Sequence, residues 1–275
     1  MGEKLTPNEK VHLARNLDRP HITDFIDAIF TDFFEQKGDH LCDDDSSIYG
    51  GVALFKGIPV SIVGHRKGHD VFEQLKYNCG MTKPEGYRKA LRIMKQAEKF
   101  NRPIITFVDT PGAYPGKEAE EHGQGEAIAQ SLATMSALTV PVICVVTGEG
   151  NSGGALALSV ANEIYMLENA VYSVLSPEGF ASILWKDSTK SPEACDLLKL
   201  TADDLYDTGI IDEIIAEPQG GAKVDSISVY DEISNHLEHD LKKYMKMTKE
   251  EIVSYRRKKF REICGYELNR QLKIS

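Results

Sequence analysis

The sequence is poor in paired cysteines. Its five, at positions 42, 79, 144, 195 and 264 of 275, are widely spaced, with no Cys-x-x-Cys and no Cys/His zinc spacing. That excludes a disulfide framework and gives no metal site in this chain, so reduced thiols are expected. Long apolar runs are missing too, and Met1-Gly-Glu-Lys-Leu-Thr-Pro7 has no apolar leader stretch. The expectation is a cytoplasmic chain with no membrane segment. Positive charge is scarce: Lys+Arg 32 against Asp+Glu 42 leaves −10, which disfavours nonspecific nucleic acid or anionic membrane binding. The basic runs Lys242-Lys243 and Arg256-Arg-Lys-Lys259 read as solvated helix faces. A P-loop is also missing, because Gly116-Lys117 is followed by Glu118.

With 41% hydrophobic and 27% charged residues the chain can bury a substantial core. Residues 1–40 read as helical, starting near Thr23-Asp24, with an apolar stripe through Phe25, Ile26, Ile29, Phe30 and Phe33. Asp43 to Ser47 is a polar loop. Gly51–Phe55, Lys56-Gly57 and Ile58–Val63 form a hairpin, followed by the basic loop Gly64-His-Arg-Lys-Gly-His69. Thr82-Lys-Pro-Glu85 reads as a capping box opening a helix to Phe100, with Tyr87, Leu91, Met94 and Ala97 inward and Arg88, Lys89, Arg92 and Lys95 outward. Strand 103–108, helix Gly123–Leu138, strand 140–146 and helix Ser152–Ala161 come next. Strands 164–167 and 171–175, a helix from Pro177 to Lys186, a helix over 200–207 and a strand over 210–215 complete a mostly parallel α/β pattern. Beyond Ser226 the chain is charged and helical, with a second capping box at Thr248-Lys-Glu-Glu251, and is expected to pack outward.

Two strands end in dense glycine turns, Asp109-Thr-Pro-Gly-Ala-Tyr-Pro-Gly116 and Gly148-Glu-Gly-Asn-Ser-Gly-Gly154, each leading into a helix. Such junctions aim unshielded N–H groups outward at an anion or a developing oxyanion. Four readings compete. Gly148-x-Gly150-x-x-Gly153, with Glu168 about 20 residues on, fits a dinucleotide fingerprint. Gly150-Asn-Ser-Gly-Gly154 fits a nucleophile elbow with Ser152 attacking, but its only downstream histidines, His236 and His239, lie in a charged helix. There Ser152 reads better as an N-cap. Asp109-x-Pro-Gly112 looks like a triphosphatase switch strand without a P-loop, so Asp109 reads instead as an acceptor that fixes its loop. The fourth reading needs no side-chain acid or base: N–H groups from Gly112-Ala113 and Gly153-Gly154 form paired oxyanion holes.

These residues carry a family resemblance. Pro84–Met94, Pro103–Gly116, Gly148–Ala157 and Tyr172–Lys186, in that order and with Gly64-His-Arg-Lys-Gly68, resemble the carboxyltransferase alpha subunits of bacterial acetyl-CoA carboxylase, a likeness running from Arg19 to Gly221. The resemblance implies a crotonase-like (ClpP/crotonase) α/β fold of stacked ββα units with helical N- and C-terminal extensions. The divisions would be a helical segment 1–45, a carboxyltransferase unit 46–221 and an extension 222–275. It implies carboxyl transfer from carboxybiotin, borne by a biotin carboxyl carrier protein and charged by biotin carboxylase, to acetyl-CoA, giving malonyl-CoA for fatty acid synthesis. The partner would be a beta subunit with a zinc ribbon that holds acetyl-CoA, in an α2β2 assembly. The backbone N–H groups of Gly153, Gly154, Gly112 and Ala113 would hold the ureido oxygen of biotin. The biotin nitrogen would take a methyl proton from acetyl-CoA, and the enolate would attack CO2. Tyr114, Asn151 and Ser152 would line the substrate. Tyr172 either lines the pocket or packs, and Trp185 is core or interface. His65, Arg66, Lys67 and His69 would touch the partner or coenzyme A phosphates, or form a solvated loop. Two departures stand out: Asn151 where the family often has glycine, tolerable because asparagine accepts left-handed dihedrals, and a short lead before the first helix. A hydrolase using Ser152, a dinucleotide-dependent oxidoreductase and a noncatalytic scaffold are the alternatives.

Overall fold

The computed structural model describes the backbone of residues 5–271 and the side chains of 5–263; Cys264 lies outside the described side chains. Among these residues eight strands form one mixed sheet. The first three, β1 (Thr31–Glu35), β2 (Ile48–Phe55) and β3 (Ile58–His65), are antiparallel neighbours. Then β4 (Ile104–Thr110), β5 (Val142–Asn151), β6 (Glu163–Leu167) and β8 (Glu213–Ile215) continue in parallel, and β7 (Val171–Ser173) pairs the far end of β5. Every residue of β4 and β5 is buried, as central parallel strands covered on both faces must be. The β2–β3 turn uses Lys56 and Gly57, both at positive φ, the tight hairpin geometry its Lys-Gly pair announces.

Among the described residues twelve α-helices frame the sheet. α1 (Pro7–Ala14) and α2 (Ile22–Ile29) precede it, and α3 (Val71–Lys76) and α4 (Pro84–Lys99) cross from β3 to β4. α5 (Lys117–Glu121) and α6 (Gln124–Ala137) cross to β5, and α7 (Ser152–Leu156) leaves it. α8 (Pro177–Trp185), α9 (Ser191–Leu198) and α10 (Ala202–Asp207) lead to β8, and α11 (Ser226–Tyr244) and α12 (Lys249–Gln271) close the chain. The main hydrophobic core is continuous from Ile22 to Leu241.

Local periodicity misleads where a tertiary partner is stronger. Phe33 is not on a helix: α2 ends at Ile29, Phe30 is extended, and Phe33 lies in β1, its ring 5.0 Å from Tyr49. The edge of β2 offers backbone partners that a longer helix could not use. The Thr82–Glu85 box does not form. The N-cap is Lys83, whose N–H donates to Asp45 Oδ2 at 2.7 Å, while Glu85 meets Arg88 and His122. Asp45 and Ser47 are therefore buried rather than part of a free polar loop. Lys89 is buried as well, its ammonium 2.6 Å from Asp44 and 2.7 Å from the Asp45 carbonyl. α7 stops at Leu156 because the chain bends onto β4, where Thr106 Oγ1 donates to the Leu158 carbonyl. β7 ends at Ser173, and β8 starts only at Glu213 because Asp212 bonds Ile164 through its backbone and its carboxylate.

The C-terminal helices do not simply pack outward. Val229, Ile233, Leu237 and Leu241, spaced by four, put one face of α11 fully into the main core. The Thr248 box forms as expected, with Thr248 and Glu251 bonding reciprocally. Arg256 of α12 is wholly buried, so that basic run is not a solvated face throughout.

Candidate active site

The two glycine turns meet. A Cβ on Gly154 would lie 2.7 Å from the Ala113 nitrogen and 2.8 Å from the Gly112 carbonyl carbon, so only glycine lets these backbones touch. Gly112 itself has φ +141°, a conformation side chains rarely adopt. Its N–H is occupied: it donates to Thr110 Oγ1 at 3.0 Å, and that hydroxyl returns a bond to the Gly112 carbonyl at 2.7 Å. The open donor of the first turn is therefore Ala113, not Gly112. Among the described residues no hydrogen bond takes up the N–H of Ala113, Gly153 or Gly154.

What brings the turns together is a break in register. β4 and β5 pair evenly from Ile104–Val142 to Val108–Val146, but the next pair is Thr110–Gly150, so β5 carries extra residues there. Asp109 fills the gap. Its Oδ1 accepts the Glu149 N–H at 2.9 Å, and a Cβ on Gly148 would collide with the same carboxylate. This fulfils the loop-fixing role read from the sequence for Asp109.

Beneath the turns lies a buried charged cluster. Lys67 Nζ stands 2.7 Å from Asp109 and 3.2 Å from Glu149. Arg15 bonds the other Glu149 oxygen at 2.7 Å and grips Glu178 with two nitrogens. His21 lies 3.6 Å from Asp109. Burial opposes ionisation of Asp109, yet Lys67 and then His21 hold its carboxyl far below the usual range. Burial likewise opposes the Lys67 ammonium, but Asp109 and Glu149 outweigh it and raise its pKa. His65, fully buried, is pushed down to about 4 chiefly by desolvation and is neutral at pH 7. The basic loop is thus no solvated loop at His65 and Lys67; Arg66 lies over the rings of Tyr49 and Tyr77, and His69 is half exposed beside Asp24. Lys67 as a cluster member and Glu149 were not legible as site residues. The one hint was a glutamate between two glycines at the end of an apolar strand.

The remaining expected residues fall around the turns. Tyr114 is half buried, its N–H donating to the Thr82 carbonyl and its ring against Gly116. Asn151 is buried, accepts a bond from Ser173, and leaves its amide nitrogen without a partner. The left-handed residue is not Asn151, at φ −110°, but the exposed Ser152, at φ 60°. Ser152 is also not the N-cap; Asn151 holds that place without a side-chain bond. The serine has the backbone posture of a nucleophile elbow, but no histidine hydrogen-bonds it among the described residues, and His236 packs against Tyr165 of β6. For a dinucleotide, α7 is only five residues long and Glu168 is engaged with the Glu217 N–H. Tyr172 packs, its hydroxyl 2.8 Å from Ser159 and its ring against Gly150, while Trp185 is half buried edge-on to Phe180.

Comparison with known proteins agrees with this architecture. The sequence model of the family "acetyl co-enzyme A carboxylase carboxyltransferase-like" matches residues 1–264. The acetyl-coenzyme A carboxylase carboxyl transferase subunit alpha of Geobacillus sp. (strain WCH70) is 52% identical, over 97% of this chain and 82% of its own length. A Natranaerobius thermophilus protein named as subunits beta/alpha is 55% identical over 95% of this chain and 43% of its own. Among solved structures, transcarboxylase 12S superposes with a TM-score of 0.65 at 22% identity, covering 86% of this chain and 45% of that one, which shows the shared crotonase-like fold. The chain belongs to the acetyl-coenzyme A carboxylase carboxyltransferase-like family.

Proposed function

We propose that this chain is the alpha half of an acetyl-CoA carboxyltransferase, moving a carboxyl group from carboxybiotin to acetyl-CoA to form malonyl-CoA. A beta-type subunit would hold acetyl-CoA; a relative carrying beta and alpha in one chain supports that pairing. Carboxybiotin would arrive on a separate carrier protein charged by biotin carboxylase, in an α2β2 complex in the cytoplasm. Residues 46–221 would form the catalytic unit, flanked by 1–45 and 222–275.

The observation that carries this reading is the contact between the two turns at Gly154, which has no room for a side chain there, and which brings the unengaged N–H groups of Ala113, Gly153 and Gly154 into one neighbourhood. Such a cradle suits a planar group with one oxygen acceptor. Bound biotin supplies a ureido oxygen on which negative charge grows as its carboxyl group departs. The donors are fixed beforehand by the strand ends, so they stabilise that charge without reorganising, about 3 kcal/mol for each good bond. Tyr114, Asn151 and Ser152 would border the same cradle, with the free amide of Asn151 as a further donor. Gly112 would serve by shape, not by its own N–H.

The test is reconstitution with the beta subunit and an assay of carboxyl transfer from malonyl-CoA to biocytin. Gly153→Val, which places two methyls beside the donors, should abolish transfer while the complex still assembles; intact transfer would favour a scaffold. Ser152→Ala should keep activity within a few-fold. Stoichiometric labelling by a serine-directed fluorophosphonate, lost in Ser152→Ala, would overturn the reading in favour of a hydrolase, and NAD(H) binding would favour an oxidoreductase.

A further inference from the structure

We propose that Lys67 is a positioning residue for the paired turns, its buried ammonium holding the Asp109 end of β4 and the Glu149 end of β5 at the separation that lets Ala113 and Gly153-Gly154 converge. The inference rests on the carboxyltransferase reading and adds a residue outside the turns. Three observations support it. First, the register break between Val108 and Thr110 leaves Glu149 without a partner in β4, and the Asp109 carboxylate accepts its N–H at 2.9 Å instead. The geometry of the second turn thus depends on where the Asp109 carboxylate sits. Second, Asp109 and Glu149 are both buried and both acidic, and Lys67 lies between them at 2.7 and 3.2 Å. Removing that cation leaves two carboxylates facing each other out of water, a strongly unfavourable arrangement relieved by protonating one or by spreading the strand ends. Third, Lys67 has little freedom to move. A Cβ on Gly80 would lie 3.1 Å from Lys67 Cγ and 2.8 Å from the Asp109 carbonyl oxygen, so the bare backbone of Gly80 flanks its stem.

The second cation of the cluster does not replace Lys67. Arg15 reaches only Glu149 and is shared with Glu178. The other titratable groups facing Asp109 are His21 before α2 and His65 at the end of β3, and Cys79 borders the same small cavity of about 100 Å³. None of these places a permanent positive charge on both carboxylates.

The experiment uses the reconstituted complex with the partner subunit and the malonyl-CoA–biocytin assay. Lys67→Met should lower kcat about a hundred-fold, the scale of an ångström-sized misplacement of reacting groups, with the KM for malonyl-CoA little changed. Two further readouts separate positioning from general loss of stability. Without the cation the carboxylates become easier to protonate, so the ratio of Lys67→Met to wild-type activity should rise as the pH falls from 8 to 6. Lys67→Met combined with Asp109→Asn removes the excess negative charge while the amide oxygen still accepts the Glu149 N–H, and should recover at least ten-fold over Lys67→Met. If Lys67→Met fails to fold, the neutral double variant carries the test: folded and within about ten-fold of wild type it supports the proposal. Wild-type kcat in Lys67→Met overturns the proposal, as does a folded but inactive double variant. A pH profile parallel to wild type also overturns it. An inactive wild-type complex would instead overturn the carboxyltransferase reading itself.

Discussion

The two ends of β5 each bury a cation, and they neutralise it differently. At the C-terminal end Lys67 sits between two carboxylates, one of which holds the backbone of the second turn. At the N-terminal end no carboxylate among the described residues bonds Arg256 of α12. Its guanidinium donates to the carbonyls of Met135 and Leu138 at the end of α6, to Val140, and to Asn162 Oδ1. Asn162 in turn accepts the Val142 N–H that opens β5. Burial lowers the Arg256 pKa to about 10, which still leaves it charged at pH 7. The difference is one of purpose. Arg256 satisfies carbonyls that a helix end leaves unpaired, and a planar fork suits several neutral acceptors at once. Lys67 must hold two like charges together, and a compact point charge suits that.

Breaking the Arg256 end should have the largest effect on stability. Arg256→Leu strands the three buried carbonyls of Met135, Leu138 and Val140, each costing about 1–3 kcal/mol when left unsatisfied, so a loss of about 3 kcal/mol or more is expected, while Asn162 Oδ1 keeps the Val142 N–H. A urea midpoint that falls with unchanged slope would register it. An unchanged midpoint would mean that water replaces the guanidinium there.

At the other end the expected loss is of activity. Gly154→Ala puts a methyl against the Ala113 nitrogen and the Gly112 backbone, neither of which can yield without parting the turns. Carboxyl transfer should fall about a hundred-fold, or about 2.7 kcal/mol of transition-state stabilisation, with the fold retained by circular dichroism.

Acid sharpens the contrast between the two cations. Because the folded protein holds the Asp109 carboxyl below its unfolded value, the stability this group contributes is complete above about pH 4 and drains away as pH falls toward the much lower folded value. Asp109→Asn should be less stable than wild type at pH 7, and the gap should close progressively below pH 4. Among the described residues no carboxylate bonds Arg256, so the gap between wild type and Arg256→Leu should stay nearly constant over that range. Denaturant titrations at a series of pH values would show whether the two gaps diverge.

The smallest effect belongs to Gly153→Ala. There the new methyl would meet only Ile128 at 3.5 Å, ordinary van der Waals contact, so kcat should stay within about three-fold of wild type. A larger loss would mean that Gly153, like Gly154, needs its bare backbone against another group.

Much of the strand order and both glycine turns were legible because their signals are local. Apolar runs of the right length bounded by glycine need no knowledge of the rest of the chain. Phe33 reads as helical from the sequence because its apolar spacing fits a helix, and only the open edge of β2 turns it into strand. In the sequence α11 reads as peripheral because Val229, Ile233, Leu237 and Leu241 are interspersed with charged and polar residues. Within the candidate site, the N–H donors of Ala113, Gly153 and Gly154 lay in the expected turns. The engagement of Gly112 by Thr110 was invisible, since it depends on a hydroxyl rotamer two residues away.

By itself the sequence determined that β4 and β5 are buried strands, that each ends in a glycine-rich turn, and that those turns carry unshielded backbone donors. It also carried the family motifs in order. Tertiary structure alone decided that the two turns touch, which donors stay open, and that Lys67, Asp109 and Glu149 share one buried site. The reason is distance along the chain. Lys67 and Glu149 are 82 residues apart, and Asp109 and Glu149 are 40 apart. No local pattern encodes which buried charges will face each other, because that follows from strand register and from a bulge that exists only once the sheet has formed.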